Sequence, residues 1–424
     1  MADSAETALF KKVAWRLVPF LGIVYFASFL DRVNIGFAAL QMNADLGLSP
    51  EAYGFGAGIF FLTYAALEVP SNLILERVGA RRWIFRILVS WGLLSAATAF
   101  VWNETSFYTV RFLLGAAEAG FLPGAIFYIS CWFPAAQRGR IIGGFMAAVP
   151  FANIFGAPLS GAILGLDGFA GLAGWKWLFL IEGVPAALLG FAVLAFLPDG
   201  PSDAKWLSPG EREVIARRLA AEPAPDHHAV WPALSDPKVW ALTLPYFGMV
   251  VTLYGVNFWL PQIVKSMGFS NFETGLMVAL PYIAAAPAMI LWGRHSDRKN
   301  ERTFHFALAA LFTASGFALA ALVPGNLAVF LGLAVATVGA HAIFGPFWSI
   351  PPQFLRGAAA AAGIALINSV GNLGGFAGPY LMGWVKQTTG SYAGAMGMFA
   401  AVAVFAALAM IVAGRKGAAM RASA

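Results

Sequence analysis

Apolar runs of about 20 residues recur along nearly the whole chain, divided by short polar breaks, and each is long enough to cross a hydrocarbon core of about 30 Å as a helix. The pattern predicts twelve helices, at 15–40, 52–75, 83–101, 107–131, 140–165, 176–198, 239–263, 272–293, 303–323, 327–350, 357–385 and 392–414. One connection departs from the short loops: Asp199 to Lys238 is about 40 residues long and rich in proline and charge. Within it, SPGEREVIARRL pairs Ser208 with Glu211 as a capping box and puts Pro209 at the first helical position. That combination predicts a short amphipathic helix at the membrane surface. The expected domains are an N-terminal six-helix bundle (1–198), a cytoplasmic linker carrying that helix (199–238) and a C-terminal six-helix bundle (239–424).

Composition supports the membrane reading: 59% of the 424 residues are hydrophobic and 11% are charged, less than half of the roughly 25% charge of a soluble globular chain. An ordinary soluble enzyme is excluded. The net charge of +6 would suggest a nucleic-acid partner in a soluble protein, but here position matters more than sum. If the N-terminus is cytoplasmic, 22 of the 27 basic residues fall on the inner side: Lys11, Lys12, Arg16, Arg77, Arg81, Arg82, Arg86, Arg138, Arg140, Lys205, Arg212, Arg217, Arg218, Lys238, Arg294, Arg298, Lys299, Arg302, Arg356, Arg415, Lys416 and Arg421. Lys176, Lys265 and Lys386 lie outside, and Arg32 and Arg111 lie within spans. The positive-inside rule then predicts a multi-pass protein with both termini in the cytoplasm. The first apolar stretch is too long for a signal peptide and lacks a small-residue cleavage site, so it is expected to stay as a span. A single cysteine, Cys131, allows no internal disulfide, and no spacing suggests a metal or other cofactor.

The two halves repeat. NLILERVGARR (72–82) follows the second span and GRHSDRKNER (293–302) follows the eighth, with the pairs Glu76-Arg77 and Asp297-Arg298 offset by 221 residues. FGAP (155–158) and FAGP (376–379) show the same offset. A duplicated six-helix unit is the repeat logic of secondary transporters. In these features the chain resembles the major facilitator superfamily, whose Gly-x-x-x-Asp-Arg-x-Gly-Arg-Arg signature lies after the second span. Here Asn72 and Glu76 stand where Gly and Asp are usual, while the second copy keeps Gly293, Asp297 and Arg298. The resemblance implies an all-α membrane fold of two pseudo-symmetric six-helix bundles working by alternating access. It also implies that Glu76, Arg77, Gly79, Arg81, Gly293, Asp297 and Arg298 hold the cytoplasmic gate in one state, the alternative being charges that only set topology.

Against this background the charges inside spans are the candidate chemistry, because each costs roughly 2.5 to 3.5 kcal/mol on insertion scales. Asp31 and Arg32 are neighbours on the first helix and diverge by about 100°. Arg111 and Glu118, in RFLLGAAEAGFLPG, are seven apart and share a face of the fourth. Gly115, Gly120 and Gly124 on that stretch let another backbone approach closely. Two acids and two bases form a network of zero net charge. Arginine cannot lose its proton and matches a carboxylate with two parallel hydrogen bonds, so Arg32 and Arg111 suit an anionic substrate. Asp31 and Glu118 can change charge, and protonating either frees an arginine. The alternative is an ion-pair network that only locks helices. Glu68 and Glu182, nearer the span ends, read as structural or gating residues.

Five stretches, FLDRVNIGFAALQMNADLG, FLTYAALEVPSNLILERVGARRW, RFLLGAAEAGFLPGAIFYISCWFP, WKWLFLIEGVPA and LPDGPSDAKWLSPGERE, resemble the anion:cation symporter branch of the superfamily. In relatives carrying sugar acids, the counterparts of Asp31, Arg32, Arg111 and Glu118 serve proton coupling and carboxylate binding. FAALQMNADLG, YGFGAGIFFLTY and FMAAVPFANIFGAPLSGAILG narrow the resemblance to bacterial tartrate transporters. The branch also carries glucarate, galactonate, phthalate, hydroxyphenylacetate and nicotinate. Where sugar-acid carriers can place a glutamine on the fifth helix, this chain has apolar AAVPFAN with Asn153 its amide, which suits a shorter or more apolar acid. The second half offers Tyr254, Asn257 and Gln262 on the seventh helix and Asn368 and Asn372 on the eleventh, with Tyr64 from the second. Of these, Tyr64, Asn257, Asn368 and Asn372 are the candidate partners for the rest of the substrate, interhelical hydrogen bonding being the alternative. His341 reads as a packing residue. The expectation is therefore a monomeric importer in a bacterial inner membrane, moving a small carboxylate, tartrate first, with protons. An exporter acting as antiporter is the transport rival. A membrane-embedded enzyme lacks any nucleophile or metal motif, and a channel lacks a ring of like pore residues.

Overall fold

The computed structural model describes residues 2–146, 148–221, 234–355 and 357–422, with backbone only for 2–4, 357–361 and 415–422. The linker segment 222–233 and Arg356 lie outside the described residues, as do the side chains of Arg415, Lys416 and Arg421. Every regular element among them is helical. Among the described residues, eleven helices are long and apolar enough to cross a membrane. The remaining expected span, the eleventh, is present as Gly357–Asn372 and Gly374–Thr389, parted at Leu373. The fold is the all-α, twelve-helix arrangement expected.

The first helix runs Ala2–Asp45, well past the 15–40 expected. Its N-terminal turns contain no breaker and bury Leu9, Phe10 and Val13, so amphipathic packing extends the helix beyond its lipid-length apolar run. The linker helix forms at Pro209–Ala220 with the Ser208/Glu211 capping box made in both directions. It clasps the first helix through Lys12 Nζ to Glu211 at 2.8 Å and Arg218 to Glu6 at 2.7 Å.

Helix pairings repeat six spans later. In the first half the third span packs on the sixth and the first on the fifth and sixth; in the second half the ninth packs on the twelfth and the seventh on the eleventh and twelfth. The halves meet by the same symmetry, the second span against the eleventh and the eighth against the fifth, with the first facing the seventh. These seams sit toward the end away from the chain termini. Gly54 and Gly58 admit the backbone of Pro379 and Phe376, and Gly383 that of Pro50, the small-residue contact that lets helices approach without a water-driven core. Tyr53 donates to the Phe258 carbonyl at 2.9 Å, and Tyr380 to Glu51 at 3.0 Å. The molecule is thus sealed across its two halves at the end opposite the termini.

Candidate substrate and proton site

The fourth span does not run through as one helix. It stops at Glu118, turns through Ala119 and Gly120, and resumes as Phe121–Ser130. Gly120 takes φ +88°, a left-handed conformation that L side chains rarely adopt. Carbonyls near the break find partners on neighbouring spans: Ser71 donates to Ala119 O at 2.7 Å and Arg86 to Ala117 O at 3.2 Å. Irregular backbone at membrane depth survives where such partners exist. The break leaves Glu118 at a helix C-terminus, where the dipole disfavours an anion.

Arg32 offsets that cost. Its guanidinium pairs with Glu118 Oε1, which also accepts from Ser28 Oγ at 3.0 Å. The pair is shielded, with side-chain exposures of 11% and 1%. Arg32 also donates to the Tyr254 hydroxyl of the second half at 3.3 Å, and its Cζ lies 5.0 Å from the Tyr64 ring centre and 5.6 Å from that of Phe60. Glu118 Oε2 is buried without a hydrogen-bond partner among the described residues.

The other two central charges are held separately. Asp31 accepts from Trp91 Nε1 and Ser95 Oγ of the third span and from Asn34 at 3.1 Å. Arg111 donates to Ala57 O at 3.2 Å and lies 5.1 Å from the Phe60 ring centre. The expected four-charge network is therefore one direct ion pair, Arg32–Glu118, flanked by an anchored carboxylate and by a guanidinium, Arg111, that shares the Phe60 ring contact with Arg32. Helical geometry is the reason: neighbours 100° apart face different spans. Gly115 packs against Phe60 and Thr63, and Gly124 against Leu75, as the small-residue pattern anticipates.

Of the second-half candidates, Asn368 Nδ2 donates to Glu68 Oε1 at 2.9 Å and Ser369 Oγ to Glu68 Oε2 at 3.1 Å, joining the halves. Asn372 is buried one turn further on, at the end of its helical segment. Asn257 lies inside the second half, where Tyr282 donates to its Oδ1 at 2.8 Å. Its neighbours there include Thr252, Thr337 and Ala340, not the charged pair. His341 bonds the Thr337 carbonyl at 2.8 Å, a packing role. Asn153 bonds its own helix at Val149 O, and Glu182 accepts from Ser160 at 2.9 Å.

The repeated loop residues engage partners within their own halves. Gly79 takes φ +95° between the second and third spans, and Arg81 donates to Leu194 O of the sixth. Asp297 pairs with Arg302 at 2.7 Å, and Gly293 faces Gly345 of the tenth span. Glu76, Arg77 and Arg298 are exposed. Sequence reasoning missed Ser28, Trp91, Ser95 and Ser369 as site residues. Their only signal was spacing: Ser28 one turn before Asp31 and Arg32, Trp91 and Ser95 four apart on one face, and Ser369 beside Asn368.

Two repeated helical halves enclosing a desolvated ion pair that contacts both of them define a multi-pass membrane transporter. The Major Facilitator Superfamily profile matches residues 21–379, and the chain belongs to that superfamily; it is a transporter and not an enzyme. A protein of Agrobacterium vitis named "Putative tartrate transporter" is 49% identical over 418 residues, 98% of this chain and 96% of that one. The "Quinolone resistance transporter" of Acinetobacter baumannii is 40% identical over 405 residues, covering 94% and 93%. The solved structure of a bacterial homolog to the human lysosomal transporter Spinster, inward-facing and occupied, matches with a TM-score of 0.77 at 18% identity, over 94% of this chain and 96% of that chain. At that identity the likeness shows the fold alone.

Proposed function

We propose that this transporter imports a small organic anion, tartrate first, together with protons, by rocking bundle 1–198 against bundle 239–424 across the linker 199–238. The observation that carries it is the Arg32–Glu118 pair, buried between the halves with Glu118 Oε2 unpartnered. A proton can settle on that oxygen without displacing an existing hydrogen bond. Neutral Glu118 then releases Arg32 to a substrate carboxylate, with Arg111 adding positive charge beyond Phe60. Asp31, the other candidate acid for the coupling, is held by Trp91 and Ser95 and fixes the first helix against the third. The basic loops support an orientation with both termini in the cytoplasm, in a bacterial inner membrane, in which the sealed end is periplasmic. The protein works as a monomer.

Similarity to the tartrate relative supports the substrate. Similarity to the resistance transporter favours one other reading, export of an acid by antiport through the same pair. Uptake of labelled tartrate into proteoliposomes under an inward proton gradient tests the proposal, with unlabelled glucarate, galactonate, phthalate and hydroxyphenylacetate as competitors. Accumulation blocked best by tartrate is expected. Accumulation blocked better by another acid replaces the substrate, and uptake driven only by an outward proton gradient turns the protein into the exporter.

A further inference from the structure

We propose that Asn368 and Ser369 form a second carboxylate subsite, which Glu68 fills in this structure and yields to the substrate, so that the substrate is a dianion held at both ends. This rests on the reading that Arg32 takes the first carboxylate. Glu68 is bound as a free carboxylate would be: one donor to each oxygen, at 2.9 and 3.1 Å, from consecutive residues of the eleventh span. Glu118 likewise takes up two donors, Ser28 and Arg32, both on its Oε1. The site therefore contains two glutamates of the first half, each occupying donors that match an external carboxylate. The two places are close. Tyr64, whose ring lies 5.0 Å from the Arg32 guanidinium, precedes Glu68 by four residues, about 6 Å along the helix. That spacing is of the order of a four-carbon dicarboxylate with hydrogen bonds at each end.

Charge balance adds a proton count. When the dianion takes both donor sets, Glu118 and Glu68 each lose their partners, and a buried carboxylate without donors is costly. Each takes up one proton, becoming a neutral acid, so two protons accompany one dianion and no net charge crosses. The charged and titratable groups facing Glu68 are Tyr64 on its own helix, Arg32 on the first and Tyr246 on the seventh.

Calorimetric titration of the purified full-length protein with tartrate and with its monomethyl ester, which keeps the skeleton and one carboxylate, tests the subsite. Wild type is expected to bind the ester roughly tenfold to hundredfold more weakly, the loss of hydrogen bonds to a charged group. In the Asn368→Ala plus Ser369→Ala variant that gap is expected to shrink to within about threefold. Equal binding of diacid and ester by wild type overturns the subsite even where the variant does not fold. So does an unchanged gap in a folded variant, which assigns the pair to helix packing. For the protons, wild-type uptake is expected to be indifferent to an imposed inside-negative potential, whereas Glu68→Gln uptake, carrying one net negative charge, is slowed by it. Equal indifference in both removes the proton from Glu68. If equal binding of diacid and ester occurs with gradient-driven uptake intact, only this inference falls; if wild type binds neither acid, the proposed function falls with it.

Discussion

Arg32 touches both halves of the molecule, bonding Glu118 on one side and the Tyr254 hydroxyl on the other. Arg111 is buried against Ala57 and Phe60, so Arg111→Lys keeps the charge and loses the planar fork. Its substrate affinity, measured by titration, is expected to fall roughly tenfold or more; wild-type affinity would remove Arg111 from the site. At this scale the sequence showed which positions carry buried charge, since insertion cost makes them conspicuous. It also showed that Asp31 and Arg32 diverge. Their partners were not legible: periodicity tells which face a residue occupies, but not which distant span lies there. That is why Trp91 and Ser95 were missed, and why Asn257, expected toward the substrate, is found bonded to Tyr282.

At the scale of elements, the break of the fourth span and the linker clasp set the geometry. Gly120→Ala forces a side chain into the left-handed region and against Ser71. It is expected to cost about 1–2 kcal/mol, visible as a lower Tm of the purified protein; an unchanged Tm would show that the break relaxes freely. Hydropathy runs unbroken through 107–131, so only Gly120 and Pro123 hinted at an interruption. The linker helix, by contrast, was legible because its capping box is local. Lys12 and the Ser208 backbone N–H hold the Glu211 carboxyl below its usual range. The clasp is therefore complete above about pH 4.3 and is lost as pH falls through the lower folded value. Lys12→Ala is expected to speed hydrogen exchange across 209–220 at neutral pH without changing substrate affinity. Unchanged exchange would mean that the Arg218–Glu6 pair suffices.

For the whole molecule, the 221-residue offset made the duplicated architecture readable, and the same helix pairings recur six spans on. Which end is sealed is a property of a state, so composition could not reveal it; Gly54, Gly58 and Gly383 show it only once their neighbours are placed. Alternating access requires that seam to open. With Cys131→Ala as background, Glu51→Cys and Tyr380→Cys bridged by a short bismaleimide are expected to abolish transport, and transport surviving full cross-linking would contradict rocking at this seam. The most direct test of the central claim, that the Arg32–Glu118 pair exchanges a proton for a carboxylate, is a pH-electrode recording of proteoliposomes on addition of tartrate. Wild type is expected to alkalinise the medium as substrate enters, and Glu118→Gln to take up fewer protons per tartrate moved while still exchanging labelled for unlabelled tartrate. An unchanged proton-to-tartrate ratio in that variant would contradict the claim.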